Sequence, residues 1–539
     1  SRFEASRDVT VEAVGFEGTL TLPGATGWLS NGFQSWSQSG VLTLTEAVSE
    51  EALLTELFKR GDDEILRDGV THSWWHTAVG GGDASLFAGA VTAETLKSWA
   101  QVYTSAGEGL TVRFVSGLTG DTFALTSGEA VDSEAWFVAL GEDVEAMGTA
   151  YAQTLPSWRR DDATPAEAEA GWNSWYDLFS HVTEDDVRQN AALAAQILGP
   201  LLPQGAPPIR ITVDDGWQNA WGDWTVNDKF PSGLDGLATD LTADGFSMGV
   251  WLAPLLVSVD APVAVEHPDW LVTGAVFPHP VEGEMGVLDV THPDAAAHLQ
   301  QVIQRIVGWG YDFLKIDFLF AGTYEGGHHE PITGMGHYTR AMTLIREAAG
   351  PETVLLAVAS PGIATTAFAD GWRVGHDIAY EPIGAHWAFI PNQLRSVAAR
   401  WPICLAVLCD ADPVLMRGLP AEEVSTGGWV VALSGGALFL SDNLPALDEE
   451  RWGWGLDDGR VDLALSGRPA IPVAPFAVAP PGYLSAPMTD VFGGGESTHV
   501  TPVVWRLQDG GRLAINITEA PIEVDGVNVP ERSARRLSD

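Results

Sequence analysis

The sequence predicts a multidomain protein built on a central (β/α)8 TIM barrel, with a β-rich region before it and a small β domain after it. Three observations carry that expectation. Between about Ala170 and Pro445, eight short apolar runs alternate with amphipathic helical stretches, the pattern of parallel βα units. Eight such units over about 270 residues fit a barrel, which typically occupies about 250. On both flanks, period-two alternation between glycine-bearing turns replaces the helical period. A doubly wound open sheet is the alternative for the same order of elements.

From Val9 to about Leu140 the chain reads as short strands, among them VTVEAVGFEGTLTL and LTVRFV from Leu110. A short helix is expected over Val144–Tyr151. RRDDATPAEAEA, from Arg159, has the composition of a linker. The expected barrel strands are Gly171–Tyr176, Ile209–Val213, Met248–Ala253, Phe313–Phe318, Val354–Ala359, Gly371–Asp377, Cys404–Cys409 and Ala437–Leu440. One intervening helix runs from about Glu184 to Leu198, with Val187, Ala191, Ala194 and Leu198 on one stripe. It opens on Thr183-x-x-Asp186, a capping-box variant, and stops at Gly199-Pro200. Another carries Leu299, Val302, Ile303 and Ile306. Val287–Val290 reads as an extra strand outside the barrel. After the Pro-rich passage Pro469–Pro487, VVWRL, RLAINI and IEVDGVNV return to β, the last a hairpin at Asp525-Gly526. The expected divisions are residues 1–160, 161–467 and 468–539.

Composition narrows the function. In 539 residues, Lys+Arg number 28 against 72 Asp+Glu, a net charge of −44. Such an excess argues against a nucleic-acid backbone or an anionic membrane as partner. There is no apolar run of 18 residues, and the start SRFEASRDVT lacks a signal core. A cytoplasmic protein is the expectation, with a removed leader left open by the absence of an initiator Met. Cys404 and Cys409, five apart in one apolar stretch, point to opposite faces if that stretch is a strand, so no disulfide and no cysteine-based zinc site are expected. His328-His329-Glu330 sits in a Gly-rich loop without helical i, i+4 spacing, so no metal is expected either. No P-loop, dinucleotide fingerprint or nucleophile elbow is present, and no cofactor is expected.

A barrel places its active site at the C-terminal ends of the strands. Those ends read Trp175, Asp214-Asp215, Trp251, Lys315 with Asp317, Ser360, Arg373 with Asp377, Asp410 with Asp412, and Asp442. In FLKIDFLF, Lys315 and Asp317 share one face of an apolar strand, although charged groups are rarely buried unpaired. Lys59, Lys97, Lys229 and Lys315 are the only lysines, which makes a lysine there notable. A barrel-interior ion pair is the structural alternative. A Schiff-base role for Lys315 is disfavoured, since the nearby carboxylate holds it protonated. In DGWRVGHDIA, Arg373, Gly375 and Asp377 share a face, Gly375 leaving room for something to approach. A structural Arg373–Asp377 salt bridge is the alternative. Asp214-Asp215 end a strand or cap the next helix. Trp36 in NGFQSWS and Trp175 in GWNSWYDLF lie beside small polar residues, as sugar-stacking or core tryptophans.

With these segments assembled, the chain resembles the α-galactosidases of glycoside hydrolase family 36, in the clan shared with family 27, and most closely their shorter bacterial and archaeal branch. The resemblance rests on NGFQSWS, GWNSWYDLF, ITVDDGW with GDWTVNDKFP, GVWLAP with EHPDW, FLKIDFLFAG, ADGWRVGHDIA and DADPVLMR. It implies an N-terminal β-sandwich, a barrel and a C-terminal β domain. It further implies a retaining exo-α-galactosidase acting on small oligosaccharides or glycosides without cofactor or metal, and leaves a homo-oligomer open. By the same resemblance Asp317 matches the nucleophile and Asp377 the acid/base. Asp214 and Asp215 match contacts to the galactose O4/O6 edge, Lys315 an O3/O4 contact and Arg373 a further binding residue. Trp36, Trp175 and Trp251 match aromatic walls. The chemistry requires Asp377 protonated and Asp317 ionised near neutral pH. The chain departs from the family at Val358 and Ala359, which replace Cys and Gly near the C2 hydroxyl, and at Cys409, which replaces Asn by the pocket wall. Alternatives are therefore the same mechanism on another α-hexose, a C2-substituted galactose or β-L-arabinopyranose. A catalytically silent sugar-binding protein is a further alternative, against which retention of both aspartates argues.

Overall fold

The computed structural model describes the chain except residues 38, 45–70, 106–108, 118–122, 158–166, 280, 382, 478–500 and 539. Lys59, most of the linker read from Arg159 and the later part of the Pro-rich passage lie outside the described residues.

Before the barrel, two antiparallel sheets pack face to face. One orders Ala13–Leu20, Gly109–Gly117, Ser98–Ser105 and Thr71–Trp74; the other Trp136–Gly141, Ser85–Ala90, His76–Gly80, Gly27–Ser30 and Gly40–Thr43. Alternate residues of both, Trp28, Leu42, Val79 and Leu86 from one and Ala100, Val102, Val112 and Phe114 from the other, form the shared core. The expected short helix runs Val144–Ala152.

Eight parallel strands then form a nearly closed barrel. They are β1 (Glu169–Asn173), β2 (Arg210–Val213), β3 (Ser247–Leu252), β4 (Phe313–Ile316), β5 (Val354–Ala357), β6 (Gly371–Arg373), β7 (Leu408–Asp410) and β8 (Ala437–Leu440). β8 pairs with β1, and a single parallel bridge, Val414 to Leu440, spans the remaining seam between the β7 end and β8. The helices are α1 (Glu184–Leu198), α2 (Gly233–Ala243), α3 (Pro293–Gly308), α4 (Gly334–Ala349), α5 (Phe389–Arg400) and α6 (Ala421–Ser434), with α7 (Asp458–Ala464) after β8. The α1 capping box forms as the sequence implies, and its stripe of Val187, Ala191, Ala194 and Leu198 is wholly buried. Between β5 and β6 only a 3-10 turn, Ile363–Ala367, stands where a barrel helix is expected. The extra strand runs Gly283–Leu288, outside the barrel, in an antiparallel sheet with Leu256–Ser258 and Leu271–His279.

Five of the eight expected strands, those of β1, β3, β4, β5 and β6, run long at their C-terminal ends, where the site is built; β2 and β8 end where expected. β6 stops at Arg373 and β7 begins only at Leu408. Cys404 lies in a 3-10 turn, Ile403–Leu405, and not on the strand, so the opposite-faces argument fails. Cys404 and Cys409 form a disulfide, with Cα atoms 5.3 Å apart.

After the barrel, Ile471–Pro472, Val504–Arg506, Arg512–Asn516 and Ser533–Leu537 make a four-stranded sheet. The predicted hairpin pairs Ile522–Val524 with Val527–Val529 across Asp525 and Gly526, both at positive φ as a two-residue turn requires. This sheet is tied to α6 by Arg532 to Glu423 and Arg535 to Glu422.

Candidate active site

The site is assembled from the ends of six strands. Asn173 at the end of β1 donates to Asp214 Oδ2 at 2.7 Å, and Lys315 Nζ of β4 donates to the same oxygen at 2.6 Å. Lys315 therefore pairs across the barrel with Asp214, and not with Asp317 two residues on. Burial, the largest influence, lowers Lys315, but the carboxylates of Asp214, Asp317 and Asp377 together outweigh it and raise the ammonium above its ordinary range. Asp215 faces the other way, accepting from Gln218 Nε2 at 2.5 Å and Trp221 Nε1 at 3.3 Å. Burial is the main cause that pushes it up to about 7.

Asp317 follows β4 directly. Its N–H still bonds Leu252 of β3 at 2.9 Å, and Phe318, at φ +53°, turns the chain into the 3-10 turn Leu319–Thr323. That turn aims the Phe318 N–H back at Asp317 Oδ1 at 2.6 Å, while Trp251 Nε1 donates to Oδ2 at 3.1 Å. Both oxygens are thus oriented by donors. Trp251 is only 2% exposed and its indole is committed to this bond, so it acts as a support for Asp317 as much as a wall. Burial raises Asp317, opposed by the charge of Lys315, the Trp251 and Phe318 donors and Arg373. Burial prevails and leaves Asp317 raised above the ordinary carboxylate range, so what favours its expected ionised state is those groups together and not a direct lysine pair.

Arg373, ending β6, is a buried guanidinium shared by three carboxylates. Nε meets Asp410 at 2.9 Å, Nη2 meets Asp412 at 2.7 Å and Nη1 meets Asp377 at 3.3 Å. The Arg373–Asp377 contact anticipated as a salt bridge exists, but as the longest of the three. Asp377 is raised to about 8, first by burial and then by the Asp412 charge; Asp317 adds in the same direction, while Arg373 and Lys315 oppose. Each aspartate stands within reach of the charges of Lys315 and Arg373, and Asp377 feels the charge of Asp317. Both residues are half-buried, beyond the C-terminal ends of β4 and β6.

Several groups gave no signal in the sequence. Tyr176 Oη donates to Asp412, which also accepts the Ile378 N–H at 3.0 Å. Gln393 of α5 is what approaches Gly375: a Cβ there would lie 1.6 Å from Gln393 Oε1. Gln393 Nε2 bonds the carbonyls of His376 at 2.8 Å and Ala411 at 3.0 Å, joining the loops after β6 and β7. Arg400 of α5 donates to the carbonyls of Gln34, Ser35, Ser37 and Val374 and to Asn31 Oδ1. With Ser35 Oγ on the Arg373 carbonyl at 2.6 Å, it docks the NGFQSWS loop on the barrel. Trp36 is thereby held half-buried against Tyr380 and His376, and Trp175 packs half-buried against Phe179. Ser360 and Asp442 do not join the cluster. Ser360 accepts from Thr365, and Asp442 takes the N–H groups of Met416 and Arg417.

The departures from the family pattern fall differently. Neighbouring residues of a strand face opposite ways, so with Asp410 turned inward to Arg373, Cys409 turns outward to Cys404. It is not on the pocket wall. Val358 and Ala359 are buried beside β4, where Val358 N–H bonds Ile316 and the Ala359 carbonyl takes the Phe320 N–H.

The Melibiase family profile matches residues 208–322, a stretch holding Asp214, Asp215, Trp251, Lys315 and Asp317. α-Galactosidase AgaA of Geobacillus stearothermophilus is 29% identical over 143 residues, 25% of this chain and 18% of that protein. A probable α-galactosidase C of Aspergillus flavus is 24% identical over 267 residues, 41% of this chain. The matched stretch is 33% of the Aspergillus protein, so the chain aligns with only a part of these longer relatives. In structure, the Thermus thermophilus α-galactosidase TtGalA superposes with a TM-score of 0.65 at 25% identity, covering 94% of each chain. In sequence and in fold, the chain is a relative of the family 36 α-galactosidases. Geobacillus AgaA, a family 36 enzyme at 16% identity and TM-score 0.63 over 98% of this chain and 73% of that one, shares the fold.

Proposed function

We propose that the chain is a retaining exo-α-glycosidase, an α-galactosidase that releases terminal α-linked galactose from small oligosaccharides or glycosides. Asp317 is the nucleophile and Asp377 the acid/base. The observation that carries this reading is the asymmetry of two carboxyls at one mouth. Asp317 has both oxygens fixed by donors, while Asp377 is raised to about 8 and so holds its proton at neutral pH. A fixed Asp317 presents a lone pair to the anomeric carbon, and the protonated Asp377 gives its proton to the departing oxygen. The Asp377 carboxylate formed then stands beside Arg373 and Lys315, which stabilise it until it takes a proton from the attacking water. Lys315, Asp214 and Asp215 offer donors and acceptors to the sugar hydroxyls, and Trp36 and Trp175 flank its C–H face.

The relatives support the glycone: TtGalA has been solved with p-nitrophenyl α-D-galactopyranoside and with stachyose. A second reading, the same chemistry on another glycone, is favoured by Val358 and Ala359, since they replace the residues that the family resemblance places near C2. A panel of aryl glycosides separates the two, and release from another glycone but not from the α-galactoside rejects the first. Asp317→Ala is expected to lower turnover by several powers of ten with the fold intact, and NMR to find the α-anomer released first. Wild-type activity in the variant, or an initial β-anomer, refutes the mechanism. A cytoplasmic location and the division at residues 160 and 467 belong to the same proposal.

A further inference from the structure

Outside the cluster of carboxylates already described, the fold gathers three side chains that no sequence spacing connects. Asp289 follows the strand Gly283–Leu288, His328 lies in the loop after the 3-10 turn Leu319–Thr323, and His337 is on α4. One ligand atom of each lies within 4.8 Å of the others. His328 Nδ1 stands 3.5 Å from Asp289 Oδ1, and His337 Nε2 stands 3.9 Å from the same oxygen. All three side chains are buried, at 2%, 2% and 0% exposure.

We propose that Asp289, His328 and His337 form a divalent transition-metal site, best matched to Zn2+, that pins the loop after β4 to the strand excursion after β3.

Three features support a metal over a polar cluster. His337 Nδ1 is 2.7 Å from the Gly322 carbonyl, which fixes the proton on Nδ1 and leaves Nε2 as a lone pair facing Asp289. A carbonyl oriented behind a histidine in this way is the usual support of a metal-bound imidazole. Second, two acceptors, that lone pair and Asp289 Oδ1, face each other across 3.9 Å, which calls for a positive charge between them. Third, His328 Nε2 has no hydrogen-bond partner among the described residues and Nδ1 has only the long 3.5 Å contact with Asp289, although both are buried. Buried polar atoms are rarely left so, and a metal ligand needs no hydrogen-bond acceptor. Asp289 is itself braced, accepting from Thr291 N and Oγ1 on Oδ1 and from His329 N on Oδ2. The metal displaces the Val290 N–H bond to His337 Nε2, long at 3.2 Å, and shares Asp289 Oδ1 with the Thr291 donors. Two imidazoles and one carboxylate suit Zn2+, with a fourth tetrahedral position for water. His328 was set aside in the sequence because its neighbours, His329 and Glu330, lack metal-ligand spacing; its partners come from 39 residues upstream and nine downstream.

The test uses the full-length protein, stripped with a chelator and dialysed against Zn2+, with metal measured by mass spectrometry and unfolding by calorimetry. About one Zn2+ per chain is expected to be retained, with Tm falling on chelation and recovering on Zn2+ addition. Asp289→Asn and His328→Gln should lose both the metal and the Zn2+ response of Tm. His329→Gln, which touches Asp289 only through its backbone, should keep them. Co2+ in place of Zn2+ should give visible absorption in the wild type and not in His328→Gln. A wild type that retains no Zn2+, an unchanged Tm on chelation and reloading, or equal retention by His328→Gln overturns the proposal.

Discussion

Asp412→Asn separates the electrostatics of Asp377 from its chemistry. Asp412 and Asp377 sit on the same guanidinium, and the Asp412 charge is the largest influence after burial that raises Asp377 to about 8. Asp412 itself is raised to about 6, chiefly by burial, so it is charged across the pH range in which Asp377 loses its proton. Two unit charges that share one guanidinium interact by about 3 kcal/mol at an effective dielectric of about 20. That is about two pKa units, of which solvent at the half-buried Asp377 screens a part. Removing the charge also leaves Arg373 less shared, which acts in the same direction. The proton on Asp377 is needed for leaving-group departure, so activity falls as pH rises through its pKa. The alkaline limb of kcat/KM should therefore move down by about one to two pH units in Asp412→Asn. The assay is a pH–rate profile on an unactivated α-galactoside, with Tm as the check on folding. An alkaline limb that stays in place or moves up, in a variant that unfolds like the wild type, refutes the reasoning.

Other outcomes follow from the same contacts. Asp377→Ala should slow substrates with poor leaving groups far more than activated aryl glycosides, and equal losses on both would remove the proton-donor role. Gly375→Ala forces Gln393 aside and breaks its bonds to His376 and Ala411, a loss of about 2–3 kcal/mol measurable by denaturant titration. Unchanged stability would mean the loops after β6 and β7 do not depend on Gln393. Arg400→Met removes a donor from five acceptors, of which Asn31 Oδ1 and the Gln34 and Ser37 carbonyls keep another, and should cost at least about 3 kcal/mol. In steady-state kinetics it should raise KM more than it lowers kcat, because Trp36 loses its anchor while Asp317 and Asp377 keep theirs. A variant with wild-type KM would show that the NGFQSWS loop docks without Arg400.

Local periodicity made much of the architecture legible. The α1 stripe, the capping box at Thr183 and the turn at Asp525-Gly526 are encoded within a few residues, and each formed as expected. Strand ends were not legible. β6 stops at Arg373 because the chain then turns toward Gln393, and β7 starts late because Cys404 belongs to a 3-10 turn. Both depend on tertiary packing, which apolar runs do not record. The positions of Asp317 and Asp377 could be read from polar residues ending apolar strands. Their partners could not: Lys315 lies two residues from Asp317 yet bonds Asp214, which is 101 residues away.

The sequence alone determined which strands exist and their order around the barrel, since these follow from periods of two and 3.6 that each segment carries within itself. Tertiary structure decided which carboxyl receives donors, which is crowded by like charge, and which distant side chains meet, as at Asp289, His328 and His337. Charge and hydrogen-bond energies depend on distance through space, and chain closure around the barrel brings together residues whose separation along the sequence carries no trace of it.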